Sequence, residues 1–273
     1  MFIDNRRFYN KKYMKVFKSM SKKKLLIFIV SYKASFRLID VYKKIPFKKL
    51  SKYKIYLLLS DDASGDDTIN YAKKIKTKYK KIDILIKENK KNLGYGGNIK
   101  KCLNFSLKKK FDYAVMIHGD GQYDPKHIPS LIKEISKDNT IGACTGSRLM
   151  RGTKGATKGG MPFYKLFGNI LLTSIFNFLI KTNFTDAHTG LWGYNLHHLK
   201  NKKFNFLTNG YNFDNEFRFM NILKQKLIKE IPIKAKYGDE RSQLHIKYAI
   251  RFFFNTILFF LVKKKIFKKN KFR

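Results

Sequence analysis

The chain has 273 residues, a hydrophobic fraction of 44% and a formal net charge of +40. Its length and apolar content are those of a folded protein with one large core or two small ones. Such a charge attracts nucleic acid or anionic lipid. Lys far outnumbers Arg, however, and is spread over the whole length beside abundant Ile, Asn, Phe and Tyr. An AT-rich genome would produce that mix without selection for a basic surface, and nucleic acid ranks last among the readings.

Residues 1–23 are polar and basic, with no apolar core of signal-peptide length, and read as a loosely ordered arm. Cys102 and Cys144 fit no metal or disulfide spacing, which predicts a reducing cytoplasm. Lys24 to Val30 (KLLIFIV) is a continuous apolar run, the pattern of a buried strand, and Ser31-Tyr32-Lys33 follows it. A helix is expected over residues 35–45 and a second strand at Ile55 to Ser60. That strand runs into DDASGDDT, residues 61–68. A turn with an N-cap and an acidic first helical turn accounts for Ser64 to Asp67 but not for Asp61 and Asp62 together.

A helix to about residue 80 and a strand at Ile82 to Lys87 come next. Gly94, Gly96 and Gly97 then precede an amphipathic helix. Such a loop exposes N–H groups that favour phosphate, although a tight turn alone would explain it.

The centre of the chain is Asp112 to Pro125, DYAVMIHGDGQYDP. Tyr113 to Ile117 reads as a buried strand. At its end His118, Asp120 and Gln122 alternate with glycines, three metal-capable side chains where α/β sheets bind ligands. Asp124 and Pro125 read as the N-cap and first residue of a helix running to about Lys137. A short strand over Ile141 to Gly146 leads to Ser147-Arg148, and Met150 to Gly160 has the composition of a mobile loop.

Phe163 to Lys181 is a helix in which Lys165, Asn169, Thr173, Asn177 and Lys181 form one narrow polar stripe. Either it is buried on three sides or its wide apolar face meets lipid. It is short of the roughly 20 apolar residues that span a bilayer. Residues 245–262 form a second such helix, followed by the basic tail KKKIFKKNKFR.

The motif HGDGQYDP resembles the Asp-x-Asp region of the family 2 glycosyltransferases of GT-A fold, and within them the polyprenyl-phosphate sugar transferases. The resemblance covers roughly residues 24–244. It implies a nucleotide-sugar donor and Mg²⁺ or Mn²⁺ held by Asp120 and Gln122, with His118 where the family's first Asp stands. It implies that Tyr32, Asp61 and Asp62 meet the nucleotide and that Gly96 and Gly97 pack beside the donor. Arg148 would reach an acceptor phosphate or the donor. Asp186, in DAHTGLWGYN, would lie near the reacting centre with His188 and Trp192 on the acceptor side, while plain packing also explains Trp192. Asp214 and Glu216 in YNFDNEF compete for the place of an acidic residue before a helix. Arg241 would neutralise the leaving diphosphate alone, because Gln243 replaces the family's Lys.

The expected architecture is an α/β GT-A domain over residues 24–244, mostly parallel with helices on both faces, followed by an amphipathic helix and basic tail over 245–273. The acceptor is either a polyprenyl phosphate, already an anionic nucleophile, or a glycan hydroxyl, which needs a base such as Asp186. The two apolar-faced helices and the tail imply an anionic membrane surface on the cytoplasmic side.

Overall fold

The computed structural model describes residues 22–234, Tyr237 and residues 246–266. Arg241 and Gln243, most of the N-terminal arm and the end of the basic tail lie outside the described residues.

Seven strands form one sheet: β1 (Lys24–Ser31), β2 (Lys54–Asp61), β3 (Asp83–Glu88), β4 (Tyr113–His118), β5 (Ile141–Ser147), β6 (Trp192–Asn195) and β7 (Leu227–Pro232). Their spatial order is β3-β2-β1-β4-β6-β5-β7. Every neighbouring pair is parallel except those made by β6, which runs antiparallel to both β4 and β5. The fold is thus the expected α/β one, a mostly parallel sheet clad by helices on both faces.

Successive β1 side chains enter opposite cores, as a period of two requires. Leu25, Ile27 and Ile29 join Leu38, Val41, Ile75, Leu131 and Ile135 in one; Leu26 and Phe28 join Leu103, Phe176, Trp192, Phe217 and Phe259 in the other. Because both faces are covered, the strand reads as an unbroken apolar run. The helices on the first face are α1 (Arg37–Lys43), α2 (Thr68–Lys78) and, after a 3₁₀ turn at Pro125–His127, α4 (Ile128–Ile135); α3 (Tyr95–Lys108) lies on the second.

The expected single helix from Asp124 is therefore split. Asp124 does cap it, accepting from Lys126 N at 3.0 Å. Pro125 and Pro129 remove two N–H groups, so the chain turns once as 3₁₀ before the α-helix begins. The glycine- and lysine-rich loop holds a short helix, α5 (Lys154–Lys158). Asp214 and Glu216 lie inside the first turn of α7 (Phe213–Leu223), not before it.

The two apolar-faced helices are α6 (Phe163–Ile180) and α8 (Ile246–Lys263), and they pack on each other. The polar stripe of α6 points inward. Asn169 donates to Asp186 Oδ1 at 3.0 Å, and Thr173 Oγ1 accepts from Ala187 N at 3.1 Å. Asn177 donates to Phe184 O at 2.7 Å and accepts from Phe184 N at 3.0 Å. One apolar face points outward, with Phe163 79% exposed, Phe178 73% and Phe167 61%, while Leu166, Phe176 and Ile180 are buried. The helix is inside-out relative to an ordinary surface helix because its polar side chains satisfy the backbone of the 184–187 segment. By length and composition α6 could cross a membrane, the one such helix among the described residues. With its stripe spent on the domain, it cannot be ringed by lipid.

Candidate functional site

The parallel register aligns the carboxyl ends of the central strands. Val30 pairs with both Ser60 and His118, so the turns after β1, β2 and β4 open at one edge of the sheet. Since β6 is antiparallel, the residues preceding it, 186–191, arrive at that same edge. One topological fact thereby gathers Tyr32, Asp62, Asp120 and Asp186 from four distant parts of the sequence.

At the β2 end the two aspartates have different tasks. Asp61 is buried; its Oδ2 accepts from Ser64 N at 2.9 Å and its Oδ1 from Ser64 Oγ. Ser64 Oγ in turn accepts from Lys33 N at 2.8 Å. Asp61 thus locks two loops together, with both carboxylate oxygens bonded to Ser64. Asp62 Oδ1 accepts from Leu93 N at 2.9 Å and from Asn89 Nδ2 at 2.7 Å, which leaves Oδ2 for a ligand. Asn89 is itself held by Lys101 Nζ at 2.8 Å. No sequence pattern marks Asn89; it is found only once β2 and β3 are laid side by side. Tyr32 is 40% exposed at the rim, free to stack on a base.

Gly96 and Gly97 are buried in the first turn of α3. A Cβ on Gly96 would sit 2.5 Å from Thr208 O, and Gly97 N donates to Asn209 O at 3.1 Å. These glycines let α3 approach the 208–210 backbone, which a side chain at Gly96 would prevent.

At the β4 end, Gly121 has φ +78°, a left-handed turn suited to glycine. That turn lets Asp120 Oδ1 accept from Gln122 N at 2.9 Å, while Asp120 Oδ2 lies 4.0 Å from His118 Nδ1. His118 Nε2 stands 3.0 Å from Gly190 O. A carbonyl only accepts, so Nε2 carries the proton and Nδ1 keeps its lone pair on the Asp120 side. Burial depresses the His118 pKa and keeps the ring neutral. Tyr95 and Tyr123 flank the ring edge-on, and the Tyr123 hydroxyl accepts from Gly190 N at 3.0 Å. The His118 imidazole and the Asp120 carboxylate thus face each other in one turn, which also carries Gln122. Among the described residues no group of three His, Cys, Asp or Glu makes a protein-only cage. The donor set suits a divalent cation that completes its sphere with phosphate oxygens.

On the far side, Arg148 spends four of its five N–H groups on the protein. Its Nε donates to Asp186 Oδ2 at 2.6 Å, one terminal nitrogen to Asp186 Oδ1 at 2.8 Å and to His188 O, and the other to Tyr237 Oη at 2.6 Å. Asp186 has no exposed surface. Burial would raise its carboxyl pKa, but the charge and hydrogen bonds of Arg148 outweigh that and hold it far below the usual range. A carboxylate so placed is a poor base, and the bonds of Arg148 leave one terminal N–H over. His188 is half-buried and stacked on Phe252, and desolvation pushes its pKa down to about 3. Trp192 is packing, enclosed with Tyr194 and Phe217. Arg218, which no pattern in the sequence singled out, is wholly buried between Phe184 and Trp192.

The model of glycosyl transferase family 2 matches residues 27–201, well over half the chain. Two uncharacterised proteins of Methanocaldococcus jannaschii are similar to it. One is 27% identical over 71% of this chain and 82% of its own length, the other 26% identical over 77% and 81%. Among solved structures, a mannosyltransferase from Pyrobaculum calidifontis in complex with GDP-mannose and Mn²⁺ superposes with TM-score 0.60 at 10% identity, covering 92% of this chain and 66% of that one. Glucosyl-3-phosphoglycerate synthase from Mycobacterium tuberculosis, in complex with Mn²⁺ and UDP-glucose, gives 0.58 at 12% identity, covering 90% and 81%. At such identities the structures share the fold alone, and it is the family match, lying over the very strands whose ends carry Tyr32, Asp62 and Asp120, that establishes the chain as a member of glycosyl transferase family 2.

Proposed function

We propose that the chain transfers a sugar from a nucleotide-sugar onto a polyprenyl phosphate at an anionic membrane surface on the cytoplasmic side. Tyr32 and Asp62 hold the nucleotide, and Asp120, Gln122 and His118 Nδ1 hold Mg²⁺ or Mn²⁺ against the diphosphate. When bound, the cation supplies Lewis-acid neutralisation of the departing charge. An acceptor phosphate oxygen attacks the anomeric carbon from the opposite face. The C1–O bond breaks, the nucleoside diphosphate leaves with the electron pair, and the anomeric centre inverts. An ionised phosphate needs no base, which agrees with the sequestration of Asp186. A glycan hydroxyl, the competing acceptor, would need one. Arg241 is the remaining cation proposed for the leaving diphosphate.

The observation that carries the membrane reading is the inverted polarity of α6. Its polar stripe is bound into the domain while Phe163, Tyr164, Phe167 and Phe178 face out, beside the exposed Ile250 and Phe254 of α8. Contiguous apolar patches of this kind mark a docking surface. The basic sequence from Lys263 suits anionic headgroups, at about 1 kcal/mol per Lys or Arg near the surface. The protein should float with anionic vesicles, and Phe167→Ser/Phe178→Ser should weaken flotation without loss of fold. Full-length protein left at the bottom of a low-salt gradient would transfer the proposal to a soluble acceptor.

The donor contact has its own test. Asp62→Ala should weaken UDP or GDP binding by about 1.5–3 kcal/mol, the worth of a hydrogen bond to a charged group. Asn89→Ala should weaken it less, because Leu93 N still holds the carboxylate. Titration calorimetry reads both, and wild-type affinity in Asp62→Ala would remove Asp62 from the site.

A further inference from the structure

We infer that Lys165 is an acceptor-binding residue, its ammonium holding the phosphate of the incoming acceptor together with the one N–H that Arg148 keeps free; the inference deepens the lipid-phosphate reading above and rests on it. Lys165, Asn169, Thr173 and Asn177 recur at four-residue spacing and so lie on one face of α6. The last three are engaged by the domain: Asn169 by Asp186, Thr173 by Ala187 and Asn177 by Phe184. Lys165 continues the same stripe one turn toward the start of the helix. Among the described residues it has no carboxylate partner, and the charge that acts on it is that of Arg148.

Positive charge gathers at this corner without an answer. Asp186, the carboxylate that Asn169 reaches, already accepts on both oxygens, from Arg148 N, Nε and a terminal nitrogen, from Asn169 and from His188 N. The first turn of α6 holds no acidic residue, so the positive end of the helix dipole is not neutralised there, and Lys165 in that turn adds to it. Burial, then repulsion from Arg148, lowers the Lys165 pKa, the mark of a cation lacking a counterion. A bound anion would relieve all three, and phosphate accepts from an ammonium and a guanidinium N–H together. The surroundings say which phosphate. Lys165 Nζ lies 5.9 Å from the centroid of the Tyr164 ring, and Tyr164 is exposed beside Phe163 and Phe167 on the outward face of α6. The ammonium therefore stands where the apolar face meets the polar edge of the site. That border suits a molecule anionic at its head and apolar behind it, whereas free phosphate would leave the aromatic face unused.

The test titrates farnesyl phosphate, inorganic phosphate and farnesol into the full chain, with Mn²⁺ and UDP or GDP present so that the donor diphosphate position is filled. Wild type should bind farnesyl phosphate more tightly than either of the others. Lys165→Met should weaken farnesyl phosphate binding about 10–100-fold, the worth of a hydrogen bond to a charged group, and leave farnesol binding unchanged. Affinity for UDP or GDP should not move. Lys165→Arg keeps the charge and should bind farnesyl phosphate nearly as wild type does. The melting temperature of Lys165→Met should equal that of wild type or exceed it, because a repulsion has been removed; a structural role would lower it. Unchanged farnesyl phosphate affinity in Lys165→Met, a loss in Lys165→Arg just as large, a loss accompanied by a lowered melting temperature, or weakened UDP or GDP binding each overturns the inference. If inorganic phosphate binds wild type as tightly as farnesyl phosphate and Lys165→Met weakens both, the phosphate site stands and its lipid source is overturned. If wild type binds neither phosphate, the acceptor reading falls and takes this inference with it. If wild type binds farnesyl phosphate and Lys165→Met binds it equally, the role of Lys165 alone fails.

Discussion

Asp120→Asn should abolish turnover and leave the fold intact. The side chain is 38% exposed and makes one structural bond, from Gln122 N to Oδ1, which an amide oxygen can also accept. The stability change should therefore stay within about 0.5 kcal/mol, as for surface positions generally. The chemical loss is of another order. Without the carboxylate, the charge on the departing diphosphate loses its anchor, and removing one preorganised electrostatic stabiliser costs roughly 10²–10³ in rate. Chelation should abolish wild-type activity and Mn²⁺ should restore it, whereas Asp120→Asn should stay inactive at any Mn²⁺ concentration. A variant retaining most of its activity would remove the metal from Asp120. His118→Asp should retain activity and shift preference toward Mg²⁺, because a carboxylate suits the harder ion.

The strands and the glycine-bearing turn after β4 were legible because local chemistry writes them directly. KLLIFIV can only be a strand buried on both faces, and the Gly119–Gly121 turn needs glycine for reasons of its own: a Cβ on Gly119 would lie 2.5 Å from Ser31 Oγ. Hydrogen-bond partners were not legible. Asp61 and Asp62 are adjacent and look equivalent, yet one closes a turn with Ser64 and the other meets Asn89 just past the end of β3. Local sequence carries no record of which strand lies alongside.

The glycine cluster shows a second limit. A glycine kept for phosphate and one kept for backbone packing leave the same letter. Only the approach of the 208–210 segment distinguishes them here. Strand β6 escaped notice for a related reason. Its four residues are too few to display a period, and the strand is defined by pairing with β4 and β5, far away in the chain. For α6 the periodicity was plain but its direction was not. A polar stripe says that one face differs from the rest, and which face meets water depends on whether the 184–187 backbone needs partners.

The Arg148–Asp186 pair should be the most costly single break in the site. Arg148 Nε and Asp186 lie 2.6 Å apart with side chains 9% and 0% exposed, so removing either leaves a buried charge without its counterpart. Arg148→Met and Asp186→Leu should each destabilise by about 3–5 kcal/mol. The double variant Arg148→Met/Asp186→Leu should cost far less than the sum, because neither charge is then stranded. Denaturant unfolding of the four proteins measures the coupling, and additive losses would mean that the pair is not held as described. Acid should reveal the same bond. Asp186 titrates lower in the folded protein than its unfolded value of about 3.9, so its contribution is fully present above that pH. It is lost as pH falls from there toward the folded pKa. The wild-type protein should therefore lose stability more steeply below about pH 4 than the double variant does. Activity should suffer before unfolding begins. The pair anchors the segment that carries Gly190, and Gly190 O holds the Nε2 proton of His118. Asp186→Asn measured well below its unfolding temperature should accordingly show weakened Mn²⁺ binding, although Asp186 itself touches neither metal nor donor.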